Sequence, residues 1–197
     1  MRSLILALVL AFYAAWTTAS TPEYGFVEKQ VTHSNGSIVS VFLRNDTSTS
    51  QPSLSLSSRG SDFWSVYYPW DKSPDRCGDS SIFAATCDLS ANVPDCQALI
   101  DYHNAHQGMW EFGNWDRMRG ESFQTLAKSG DCAFGVSVIN SQWTAIDVGG
   151  QDIVDLIIQS WNYAYGGKVG TYGQMQCGEG TAIPVIAWAL YHPLRFP

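Results

Sequence analysis

Five cysteines limit this chain more than any other feature: Cys77, Cys87, Cys96, Cys132 and Cys177 all lie beyond residue 76. No two are spaced Cys-x-x-Cys, so they do not read as a redox pair. In an oxidising compartment they read as disulfides instead. The count is odd, so at most two bridges close within the chain and one thiol is left over. Each bridge across a long loop is worth about 2–4 kcal/mol. Residues 1–20 supply the compartment. Arg2 precedes an apolar run from Leu4 to Trp16, and the small residues Thr17, Thr18, Ala19 and Ser20 follow. A basic start, a short apolar core and small residues at the cut make a secretory signal peptide. A membrane span needs about 20 apolar residues, and here polar sequence follows at once. The mature chain is therefore expected to be secreted and extracellular, with no stable membrane insertion.

Removing the leader takes away only Arg2, leaving 10 of the 11 basic side chains against 18 acidic ones, net −8. Nucleic acids and anionic membranes recruit clusters of Lys and Arg. None is present, so neither is expected as a partner. The acidity fits solubility in an acidic or wall-rich exterior. The residues that remain are enough for one domain of ordinary size.

Residues 21–76 differ in texture from the rest. Val27, Lys29 and Val31 precede Ser34-Asn35-Gly36-Ser37, and Ile38, Val39, Val41 and Leu43 follow. An Asn-Gly turn between partly alternating runs predicts a hairpin. Residues 45–61, rich in Ser, Thr, Gln and Pro, bury too little apolar area to offset the cost of ordering them and read as a linker. Asn35 and Asn45 each open an N-glycosylation sequon. The aromatic run from Phe63 to Trp70 reads as a segment clamping onto the domain.

From Cys77 the texture becomes globular. Cys77 to Phe83 reads as extended. A helix over 93–106, capped by Ser90 or Asn92, places Cys96, Leu99, Ile100 and His103 on one face. Gly108–Phe112, Cys132–Val138 and Trp143–Val148 read as strands, and Phe123–Ala127 as a turn or short strand. The densest stretch is Ile146–Cys177. Ile153, Ile157, Trp161 and Ala164, widened by Val154 and Ile158, form the apolar stripe of a helix lying on a sheet. Asp152 and Asp155 suit the positive end of that helix, and Gly166-Gly167 reads as its C-terminal stop. Lys168–Cys177 and Pro184–Tyr191 add strands. This order predicts an α+β fold: a small two-layer sandwich of two helices on a mostly antiparallel, disulfide-bridged sheet.

Several residues invite a catalytic reading, and each has a plainer one. Gly78-Asp79-Ser80 resembles a nucleophile motif, but the residue three before His192 is Ala189 where an esterase wants Asp, and no Gly-x-Ser-x-Gly elbow exists. His103 and His106 lie three apart on a helix, yet further ligands at metal-binding spacing are missing. Glu111 with Asp116, or Asp152 with Asp155, is placed to form a glycosidase carboxylate pair. Asp152 and Asp155 already have a helix-start explanation. No glycine-rich phosphate loop is present, because Gly166 to Gly170 follows a helix rather than opening one. No catalytic residue, metal or cofactor is expected. Trp161 and Trp188 fit buried positions, whereas Trp64, Trp70 and Trp115 sit in loop-like contexts and are placed to form a sugar- or partner-binding surface, with packing the plainer reading.

With these pieces in order, residues 77–191 resemble the Ecp2 effector domain, the Hce2 family of secreted fungal proteins. The resemblance rests on Cys77 to Phe83, on Asp95-Cys96-Gln97-Ala98-Leu99, on Gly108-Met109-Trp110 and on Gly130 to Val136. It continues through Val148 to Ile157, Gly167 to Gly173 leading to Cys177, and the tail Ile186 to His192. The region before Cys77 is not covered by the resemblance, and the chain divides into signal peptide (1–20), N-terminal segment (21–76) and effector-like domain (77–192). It implies a killer-toxin-like α/β sandwich and a non-enzymatic effector or necrosis-inducing factor acting on a host plant or on competing microbes. The partner implied is a cell-surface protein or polysaccharide. The alternative is an extracellular polysaccharide-binding protein or small glycoside hydrolase. The family framework falls on Cys77, Cys96, Cys132 and Cys177, and four cysteines allow three connectivities. The pairing favoured is Cys96 with Cys132 and Cys77 with Cys177. Cys87 then remains as the free thiol of a monomer or the link of a dimer.

Overall fold

The computed structural model describes residues 25–33, 35–44, 64–69, 75–113, 123–140, 145–178 and 183–194. The leader, the Ser/Thr-rich stretch and Asn45 lie outside them, as do Trp70, Trp115 and Asp116.

The hairpin at Asn35-Gly36 forms as the turn chemistry predicts. β1 (Phe26–Thr32) pairs antiparallel with β2 (Ile38–Arg44), from Thr32 opposite Ile38 to Phe26 opposite Arg44. Its second strand then pairs with β8 (Gln124–Ser129), through Phe42 with Lys128 and Leu43 with Ala127. The hairpin is thus the edge of the main sheet. A second tie is lateral: His33 Nδ1 lies 2.6 Å from Asp101 Oδ2 on the first helix.

The main sheet runs β1-β2-β8-β9-β13-β12-β4, with β5 (Phe83–Ala84) also on the β12 edge. Its other strands are β4 (Cys77–Ser80), β9 (Cys132–Asn140), β12 (Thr171–Cys177) and β13 (Val185–Tyr191). All its pairings are antiparallel. A three-stranded sheet, β10 (Ala145–Gly149), β7 (Gly108–Gly113) and β3 (Trp64–Pro69), holds the aromatic run before Cys77 against the domain. β6 (Ala91–Asn92) and β11 (Lys168–Val169) pair separately.

Helix α1 (Val93–Ala105) starts with Pro94 in its first turn, where the missing N–H costs nothing. Its buried residues include Cys96, Leu99, Ile100 and His103. It packs on β1, β2, β8 and β9, and against α2 (Gly150–Ser160). Between helices and sheet lies one core, with Leu99, Trp110, Phe134, Ile153, Ile157 and Trp188 fully enclosed. This is the α+β architecture of two helices on a mostly antiparallel sheet, with two disulfides.

The second helix departs from its predicted extent. It ends at Ser160 and tightens into a 3-10 turn over Trp161–Tyr163. Ser160 explains the early stop: its hydroxyl donates back to the Leu156 carbonyl at 2.6 Å and meets Thr171 Oγ1 at 2.7 Å. Such a side chain competes with the helical ladder. Ile158, within the helix, faces outward at 45 % exposed, and Trp161 is only half-buried. Gly166-Gly167 is not the helix cap. Tyr165 and Lys168 exchange both backbone hydrogen bonds, at 2.9 and 3.0 Å, around the two glycines. Their φ angles of 59° and 77° are the left-handed values that a two-residue turn of this kind requires. Gly167→Val, with open space around it but a backbone that L-residues avoid, is expected to cost about 1–2 kcal/mol, readable as a shift in denaturant midpoint.

Candidate functional site

Two disulfides tie the domain together. Cys77, at the start of β4, bonds to Cys177 at the end of β12, and Cys96 on α1 bonds to Cys132 at the start of β9. Cys87 is exposed and unbonded. A hydrogen bond from the Ser90 hydroxyl, and then the Leu89 backbone, pulls its thiol below the ordinary value.

Beside the first disulfide, β4 and α2 enclose a cleft of about 410 Å³ whose wall includes Asp75, Asp79, Ser80, Asp152, Asp155 and Gln159. Two separate candidates, Gly78-Asp79-Ser80 and Asp152 with Asp155, thus come together in space. Their chemistry is already engaged. Asp152, 5 % exposed, accepts backbone N–H bonds from Gly149 at 2.7 Å and from Arg76 and Cys77 at 3.1 Å each. The first of these closes the start of α2; the other two fasten the strand entering the disulfide onto the helix. Asp155 accepts from Gln151 Nε2 at 2.8 Å, one turn back along the helix.

Burial, and then a hydrogen bond with Asp75, push the Asp152 carboxyl up to about 7, against the pull of the three N–H donors. Burial likewise raises Asp147, with Arg76 opposing. Asp152→Ala would leave three backbone donors without this acceptor. A loss of about 2–3 kcal/mol is expected, and unfolding midpoints at pH 6 check it.

The histidines do not assemble into a site with Ser80. His33 is held by Asp101, and His192 Nε2 lies 3.4 Å from Asp131 Oδ1. His103 is in the core among Tyr67 and Tyr102, while His106 is exposed beyond the end of α1. The helix ends between the two positions, which fall on opposite sides of the surface boundary. Among the described residues, no group of three or more His, Cys, Asp and Glu is placed to hold a metal ion. Glu111 is half-buried on β7, and its proposed partner Asp116 lies outside the described residues, as does the side chain of Trp64. Asn35 is exposed at the hairpin turn, where its Oδ1 accepts from the Ser37 N–H and hydroxyl. The sequence reading missed Asp75 as the partner of Asp152, a pairing 77 residues apart that no local pattern encodes. It also missed the outward aromatics of β5 and β12.

A disulfide-bridged α+β domain that spends its buried carboxylate on tying strand to helix defines a structural class rather than a reaction. The family follows from comparison. The Hce2 model, described as a pathogen effector to which necrosis-inducing activity is ascribed, matches residues 76–177, just over half of the chain. The chain belongs to the Hce2 family. No curated protein matches it. Among the described residues, no helix is long and apolar enough to cross a membrane.

Proposed function

We propose that this protein is a secreted fungal effector that acts without catalysis, by binding a surface component of host plant cells or of competing microbes. The observation that carries this reading is the Hce2 match across a domain closed by two disulfides. Two bridges suit an oxidising exterior, and the sequence opens with an export signal. Asp152 is engaged as a backbone clamp, so no hydrolytic step is assigned to it, nor to Ser80 or Glu111. Exposed Asn35 is placed to carry a glycan. Exposed Cys87 is the thiol through which a dimer would be linked, the monomer being the expected form.

The test is infiltration of the purified oxidised chain into leaf tissue of several plant species, beside a reduced and alkylated control. Cell death that requires the intact bridges is the expected result. Equal death from both preparations, or none from either, would remove necrosis from this reading.

A further inference from the structure

The main sheet has two faces, and the helices cover only one. Along β12 the burial alternates strictly: Thr171, Gly173, Met175 and Cys177 point to the core, while Tyr172, Gln174 and Gln176 point outward and are exposed. On β13, Ile186, Trp188 and Leu190 belong to the core, so Ala187 and Ala189 share the outward face. Phe83 of β5 stands opposite Tyr172 in register. The two rings stack, with centroids 5.5 Å apart and planes 28° from parallel, yet remain 52 % and 48 % exposed. On the far side the Tyr191 ring lies over β9, where a Cβ at Gly135 would come within 3.0 Å of it. The Tyr191 hydroxyl is fixed by Thr125 Oγ1 at 2.6 Å. Ala189, 1 % exposed, is buried with Ala133 and Tyr191 in a small cluster on this side, so the exposed part of the face is Phe83 and Tyr172 with Gln174 and Gln176.

We infer that this outward face is a binding site for a neutral, β-linked polysaccharide chain. Charge selects the ligand class. The chain carries a formal net charge of −7, yet the outward residues of β12 and β13 include no charged side chain. Charge borders this centre at exposed Asp79 on the neighbouring β4, and on the far side at Arg44, Lys128 and Glu28. The uncharged centre between these groups fits an uncharged ligand. The ring pair offers electron-rich faces to the C–H edges of a flat sugar ring. Gln174 and Gln176 add amide donors and acceptors for hydroxyls. Both features sit on paired strands, so little order is lost on binding. A protein partner would want a broader apolar centre than one aromatic pair.

The test uses the full mature chain in sedimentation isotherms with insoluble β-glucan and chitin, and with polygalacturonate as the anionic control. Binding to at least one neutral polymer is expected, weakened on the order of tenfold in Phe83→Ala/Tyr172→Ala. Gln174→Ala/Gln176→Ala should weaken it as well, and carries the test should the aromatic variant fail to fold by circular dichroism. Absence of binding to both neutral polymers, stronger retention on polygalacturonate, or unchanged affinity in the folded variants overturns the assignment. No host cell is present, so failure here and failure of the leaf assay are separate results.

Discussion

Cys77→Ser/Cys177→Ser is expected to lose about 4–5 kcal/mol of stability, because the bridge closes a loop of about 100 residues in the unfolded chain. A domain of this size commonly has only about 5–15 kcal/mol in total. Local structure adds to the effect. β4 is an edge strand, and it meets β12 at Met175 with Ser80 and at Cys177 with Cys77, with a register irregularity between them. Without the bond, the start of β4 depends on the Asp152 contacts and on the Gly178 N–H that donates to the Arg76 carbonyl at 3.2 Å. Cys96→Ala/Cys132→Ala, across a separation of 36 residues, should lose slightly less, about 4 kcal/mol. Cys87→Ser, exposed and unbonded, should stay within about 0.5 kcal/mol. Denaturant midpoints under non-reducing conditions measure all three. Equal shifts across the three variants would contradict the assigned framework.

What the sequence disclosed and what it hid divide along one physical line. Local signals were legible: the Asn35-Gly36 turn, the face of α1 shared by Cys96, Leu99 and His103, and the strand character of β9 and β12. Each depends on residues within a few positions of one another. Pairings over long separations were not legible. Nothing in Phe42 or Leu43 announces β8 as their neighbour, and nothing in Trp110 says that its strand belongs to a second sheet. The end of α2 was misread for a subtler reason. Glycine serves a helix cap and a two-residue turn equally well, and the earlier stop depends on Ser160 meeting Thr171. The cleft was half legible in the same sense. Asp152 reads from the sequence as a helix-start carboxylate, which the Gly149 contact bears out. Its reach to Arg76, Cys77 and Asp75 required the fold.

Two buried titratable groups pull stability in opposite directions with pH, and their overlap makes the second large prediction. Burial, and then nearby His106, hold His103 at about 3 instead of 6.5. The unfolded chain therefore takes up a proton near pH 6.5 that the folded chain refuses. Stability from this group is full above pH 6.5 and is lost as pH falls toward 3. Asp152 has the reverse sign, with a folded value of about 7 against 3.8. Its contribution is full below pH 3.8 and is lost as pH rises through 7. Each slope is about 1.4 kcal/mol per pH unit where only one state holds the proton. Between pH 4 and 6.5 the two nearly cancel, so these groups together leave a plateau there. His103→Phe keeps an aromatic ring beside Tyr67 and Tyr102 but removes the titration. That variant should become less stable as pH rises from 4 to 6.5. Asp152→Ala should instead become more stable over the same window. Thermal unfolding in matched buffers reads the slopes directly. Parallel pH profiles for the two variants would mean that neither group titrates as its surroundings dictate.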